Sequence, residues 1–255
     1  MLPPFSDTVD CSTLAKHMES LEARFSTYLR SLDSVEDIDR LTIAQSNKRP
    51  PIGDYLCKQR QIVVEQKCVT TKQSARIQEL VERKIDPKYL HFYGTRELQD
   101  ILKQVPNGEE INKEIYRAAT RLLEKYLKQA RGQIESTKVV FDLPLSAGML
   151  LVLNEKITEL SPEIMTRRLM DKMSETRPDG SWRFGNINFA LLISETHLHR
   201  GLHHRCILIE GPDADRFRVA KKYIDRLVKG WSSLCGGDVL HVPADQESFD
   251  LDVRK

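Results

Sequence analysis

Apolar side chains fall at Leu14, Met18, Leu21, Phe25, Tyr28, Leu32 and Val35, spaced alternately by four and three residues. A seam of this kind, held over three repeats, belongs to a helix that buries one narrow stripe against another helix. Ser12 is placed to cap its start, and Lys16, Glu19, Glu22, Arg24 and Arg30 lie between the seam positions as a wet outer face. Leu14, Met18, Leu21, Phe25, Tyr28 and Leu32 are therefore read as a partner-helix interface, serving a protein partner or a homo-oligomer.

The seam sets the reading of the residues that follow. Ser34-Val-Glu-Asp37 resembles a capping box that opens another helical stretch through Ile38 and Leu41. Asn47-Lys-Arg-Pro-Pro51 breaks it, because proline removes a donor and forces extended geometry on the residue before it. From Asp54 to Lys84 there is neither Pro nor Gly, which predicts a long helix despite the β-branched clusters Ile62-Val-Val64 and Val69-Thr-Thr71. Residues 1–47 hold eight acidic and four basic side chains, and residues 48–84 hold four acidic and nine basic ones, as an antiparallel helical hairpin with attracting legs would. Thr95 is read as the cap of a short helix through Leu98, Ile101 and Leu102. The next helix spans Glu109–Arg131, with Ile111, Ile115, Ala118, Ala119, Leu122, Tyr126 and Ala130 on one face, and Gly132 ends it.

Beyond residue 132 the pattern changes. Lys138–Leu143 reads as a strand and Ser146–Ile157 as a helix. Ser161-Pro162-Glu163 starts another helix, with serine at the cap and proline at the first helical position. Pro178-Asp179-Gly180 is turn chemistry between strand-like runs. Cys206–Glu210 reads as a short buried strand leading through Gly211-Pro212 into a helix with Phe217, Ala220, Ile224 and Leu227 facing inward, and Asp238–His241 as a last strand. The expected fold is α+β: a mainly helical N-terminal arm, as a long helical hairpin or coiled coil, then a small mixed α/β sandwich domain. The expected boundaries are 1–132 for the arm, 133–242 for the mixed domain and 243–255 for a flexible acidic tail.

Four of the seven histidines, His197, His199, His203 and His204, fall within eight residues. Their spacing is that of neither a zinc finger nor the helical His-Glu-x-x-His pair, so no metal and no cofactor is expected. The cluster is read as a polar hairpin loop, with phosphate contact as its functional alternative. Arg205–Leu227 has a strand–Gly–helix rhythm that resembles the closing strand and helix of a K-homology RNA-binding domain, and equally half of a ferredoxin-like unit. It lacks the Gly-x-x-Gly loop by which the former clamps a nucleic-acid backbone, so no family is assigned. Arg218, Lys222, Arg226 and Lys229 share the outer face of the predicted helix. With His197, His199 and Arg205 they are the candidate nucleic-acid contacts. Trp182 and Trp231 are read as core or interface anchors.

The functional expectation follows from these features and from what is missing. Phosphate-binding, dinucleotide-binding and hydrolase-elbow glycine motifs are absent, and no nucleophile, base and orienting acid can be named together. The chain is expected to be no enzyme, but a non-enzymatic assembly or adaptor subunit of an intracellular complex, associating through its helical surfaces. RNA binding through the basic face of the mixed domain is the alternative. The net charge is only +2, with 39 basic and 37 acidic residues, so a globally basic nucleic-acid binder is not indicated. Five cysteines without a CxxC pair suit free thiols in cytoplasm or nucleus. Asp7 and Asp10, with no basic start or apolar core beside them, argue against a signal peptide in the first ten residues, and no run approaches membrane-spanning length.

Overall fold

A computed structural model describes residues 19–41, 51–90, 98–199 and 203–235. Its centre is one six-stranded sheet whose strands lie in chain order: β1 (Val35–Asp37), β2 (Tyr55–Cys57), β3 (Ile62–Cys68), β4 (Ala147–Asn154), β5 (Phe189–His199) and β6 (His203–Glu210). β3, β4 and β5 run parallel; β1, β2 and β6 run antiparallel to their neighbours. The helices are α1 (Leu21–Arg30), α2 (Ser74–Lys84), α3 (Leu98–Leu102), α4 (Gly108–Val140), α5 (Pro162–Met173) and α6 (Arg218–Leu234). α4 and α5, which lie in the two parallel crossovers, cover one face, as crossovers of one hand require. α1 and α6 cover the other.

This arrangement overturns the helical arm. Among the described residues no coiled-coil arm is evident, and the helical part is mostly the 33-residue α4. The expected helix over 54–84 is instead β2, a tight turn, β3 and then α2. Ile62-Val-Val64, all fully buried, are strand residues because β-branched side chains pack well on a pleated surface. The turn is built from Lys58, Gln59 and Arg60, all with φ between 53° and 63°. Such left-handed residues are usually Gly or Asn, so the sequence carries no turn signal here. The capping box at Ser34 is β1 followed by a single 3-10 turn at Ile38–Arg40.

The second half needs similar correction. Ala147–Asn154 is not a helix but β4, buried along its whole length between two parallel neighbours. A strand covered on both faces has no alternation to reveal it, and a short apolar run fits either period. The strand expected over Lys138–Leu143 is the last turn of α4 and its exit, where Asp142 turns the chain at φ 53°. Gly132 lies inside α4 with open space around it and ends nothing. α4 continues through residue 133, and β3 pairs with β4 in one sheet. Other elements stand where their local chemistry placed them. Ser161 Oγ accepts from Ile164 N at 3.3 Å with Pro162 behind it, and α6 buries Ala220, Ile224 and Leu227. Thr95, Asp238–His241 and the tail lie outside the described residues.

The seam is part of the core. Leu21, Phe25, Tyr28 and Leu32 are buried against the sheet and α6. The Phe25 and Trp231 rings meet edge to face at 4.9 Å, and the Tyr28 hydroxyl donates to Leu227 O at 2.8 Å. That hydroxyl passes directly over Gly230, where a Cβ would come within 2.4 Å of it. Leu14 and Met18 lie outside the described residues. No described helix is long and apolar enough to cross a membrane.

Candidate functional site

Alternation along β3 puts Ile62 and Val64 on the α1 side of the sheet and Val63 on the α4 side, so Glu65 and Lys67 also face α4. β2 enters beside them. Tyr55 pairs with Val64 at the end of the ladder, and Asp54, the residue before it, comes close enough to Glu65 to act on its carboxyl. Asp54 N donates to Val64 O at 2.9 Å, and its Oδ2 accepts from Gln66 N at 2.6 Å. The close approach needs the glycine before it: a Cβ on Gly53 would lie 2.9 Å from Val64 O.

The middle of α4 braces this corner. Thr137 Oγ1 accepts from Gly53 N at 2.7 Å. Gln133 donates to Ile52 O at 3.1 Å and accepts from Lys67 Nζ at 3.3 Å. One helix thus holds both the loop that aims Asp54 and the lysine. Lys67 Nζ also contacts Glu65 Oε1. Glu65 is fully buried, and its Oε2 has no hydrogen-bond partner. Burial, and then the negative charge of Asp54, push the Glu65 carboxyl up to about 7 against the pull of the Lys67 ammonium. Burial also raises Asp54, opposed by the Gln66 N–H and by Lys67. Two acids and an ammonium therefore converge in a site braced by one helix, with one carboxylate oxygen unused.

At the carboxyl ends of β3 and β4, a separate cavity of about 270 Å³, lined by none of Asp54, Glu65 and Lys67, opens between Glu22, Cys68, Leu153 and Glu155. Open α/β sheets receive ligands at this end of their strands. Burial and Glu22 push the Cys68 thiol there up to about 12, away from the thiolate form that nucleophilic chemistry uses. Cys57 and Cys206 are likewise pushed up to about 12 by burial.

The residues singled out from sequence lie elsewhere. His197 and His199 are on β5 and His203 and His204 on β6, with His199 opposite His203; their side chains lie outside the described residues. Arg205 pairs with Glu163 of α5, whereas Arg218, Lys222, Arg226 and Lys229 stand exposed on α6, across the sheet. The structure does not bring Arg205 together with that stripe. Trp231 is in the core, while Trp182 is 41 % exposed. Read as a helix, the run from Asp54 to Lys84 does not single out Asp54, Glu65 or Lys67, and Gln133 lies beyond that run. At strand period Glu65-Gln-Lys67 places two charges on one face of an otherwise apolar strand, and that was the available signal. Comparison with family models, curated proteins and solved structures finds no match.

Proposed function

We propose that the chain is a divalent-cation-dependent hydrolase of phosphodiesters in nucleic acid. The observation that carries this reading is Glu65, wholly buried near Asp54, with one carboxylate oxygen unpartnered and an ammonium at the other. Burying such a group is costly unless a cation completes it. Among the described residues no three His, Cys, Asp or Glu side chains gather. Two carboxylates suit magnesium, which keeps several waters and takes its other ligands from substrate phosphates, better than they suit an all-protein cage. Asp54 and Glu65 would hold the ion, which when bound polarises the phosphoryl group and stabilises the charge on its oxygens.

The chain's own residues account for the rest. Lys67 orients the attacking water and offsets negative charge in the transition state, held in place by Gln133. Water adds to phosphorus, the bond to the leaving sugar oxygen breaks, and that oxygen takes a proton. A diester and water thus give a monoester and an alcohol. Incubation of circular single-stranded DNA, plasmid and RNA with magnesium or manganese tests the reading. Cleavage should require the cation and fall at least about a hundredfold in Glu65→Gln and Lys67→Met. Wild-type protein should also bind one Mn²⁺ by electron paramagnetic resonance, and Glu65→Gln should lose it. No cation-dependent cleavage of any of these substrates, or variants as active as wild type, would overturn it.

A second reading rests on α6. Arg218, Lys222, Arg226 and Lys229 are exposed and have no ion-pair partner among the described residues, as RNA contact along this helix requires. Lys222→Glu with Arg226→Glu should then flatten the slope of log affinity against log salt by about 1.4 on single strands. Low-salt RNA binding that is absent, or the same in this variant, removes the reading. The adaptor expectation loses its basis in Leu21, Phe25, Tyr28 and Leu32, whose apolar surface is spent inside the chain.

A further inference from the structure

A cleft of about 500 Å³ lies on the other flank of α4, at the amino end of the parallel strands. α4 contributes Arg131 and Lys138, one turn to either side of Glu135. The opposite wall is a small hairpin, bridged between Thr176 and Trp182 and turned by Pro178-Asp179-Gly180. Gly180 has φ +81°, and Asp179 Oδ1 accepts from Ser181 N at 2.9 Å and from its Oγ at 2.6 Å. This closed turn holds Arg177 and Trp182 at the mouth.

Several features of the cleft are incomplete as they stand. Trp182 leaves much of its ring in solvent, although a tryptophan would ordinarily be covered. Exposed Val139 and nearby Pro144 extend the same apolar wall. Lys138 is depressed by burial, and neither it nor Arg177 has an ion-pair partner among the described residues. Asn186 Oδ1 is buried and unpartnered, while its Nδ2 donates to Arg131 O at 2.8 Å. Arg183 is already matched by Glu175 at 2.7 Å. Glu135 and Asp142 also line the cleft, so its cationic side is the one formed by Arg131, Lys138 and Arg177.

Arg131 Nη1 donates to Arg183 O at 3.3 Å and Asp179 feels the charge of Arg177, yet none of Arg131, Lys138 and Arg177 has a salt bridge among the described residues. An aromatic face beside such cations is the combination that recognises a base carrying a phosphate. We propose that this cleft binds a nucleotide unit, with the base stacked on Trp182 and the phosphate held by Lys138, Arg177 and Arg131. A simple anion would leave the ring unused, and an uncharged aromatic ligand would leave the cations unused. The unit is either a free nucleotide or one residue of a strand. The Glu65 site is not needed for this binding, because Gln133 and Thr137 brace that site from a different side of α4.

The test uses the full chain carrying Glu65→Gln, so that hydrolysis of the probe and failure of the hydrolytic reading leave the result untouched. Adenosine 5′-monophosphate, adenosine, inorganic phosphate and a ten-residue single-stranded oligodeoxynucleotide are titrated by calorimetry, with tryptophan fluorescence as a second signal. The monophosphate or the oligonucleotide should bind saturably and at least about tenfold more tightly than adenosine or phosphate. Trp182→Ala, and separately Lys138→Ala with Arg177→Ala, should weaken binding about tenfold or more with the circular dichroism unchanged. A tighter, salt-dependent oligonucleotide identifies a strand as the source, and an equal or tighter monophosphate identifies the free nucleotide. No saturable binding of either at millimolar concentration overturns the proposal, and so does binding that the folded variants leave unchanged.

Discussion

At the scale of single residues, Glu65 has the most consequence. Its ordinary carboxyl value is 4.5 and the fold raises it to about 7. The folded state therefore binds more protons than the unfolded state between these values, and stability falls as pH rises through that window. Above pH 7 the buried charge is a net cost, on the order of 3 kcal/mol for a shift of this size. Glu65→Gln, measured without divalent cations, should therefore melt higher than wild type at pH 8. The difference should shrink toward zero near pH 4.5, and a constant or inverted difference would deny the raised value. Cation binding needs the carboxylate form, so manganese affinity should climb as pH passes 7. The same residue thus weakens the empty fold and equips the site, as buried charges at functional positions commonly do.

At the scale of elements, β2, β3 and α4 form the unit that builds the site. Gly53 is a tight point beside the acids, set between Val64 O and Thr137 Oγ1. Gly53→Ala must push the chain entering β2 away from β3 or from α4, and either movement displaces Asp54 from its place beside Glu65. Small displacements of liganding groups have large effects on what they bind and catalyse. This variant should lower Mn²⁺ affinity about tenfold or more while far-ultraviolet circular dichroism stays that of the wild type; unaltered affinity would mean that Asp54 is not a ligand. The element scale also shows where local patterns mislead. A tight turn without glycine at Lys58–Arg60 and an unbroken apolar strand at Ala147–Asn154 both read as helix, because nothing local opposed it. Ser161-Pro162 was legible, since a cap and a proline act within one turn of chain.

At the scale of the whole molecule, the two faces of the sheet divide the work. α4 and α5 carry one side of the core, with the Glu65 site under α4. α1 and α6 close the other through Phe25, Tyr28 and Trp231. Truncating a buried phenylalanine costs about 3–5 kcal/mol, so Phe25→Ala should lower the melting temperature by about 10 °C in a chain of this size. The Trp231 emission should shift toward that of an exposed ring, and light scattering should give an unchanged mass for the protein that remains folded. A changed mass with an unchanged melting temperature would instead place Phe25 between molecules.

The contrast between elements has a physical cause. Caps, prolines, the amphipathic faces of α4 and α6 and the Pro178-Asp179-Gly180 turn depend on neighbours a few residues away, so the order of residues alone decides them. The spacing from Leu21 to Leu32 likewise decided that an apolar stripe had to be covered. It could not decide by what, because burial against a helix of another chain and burial against this chain's own sheet and Trp231 draw on the same apolar surface. Strand or helix for Ile62–Cys68 and Ala147–Asn154 turned on partners about 85 residues apart in sequence, which supply hydrogen bonds that no local window contains. The candidate site is the extreme case. Asp54 and Glu65 are separated by a turn the sequence does not announce, and Gln133 reaches them only because α4 lies across β3. Their chemistry exists only where the sheet and its covering helix have already met.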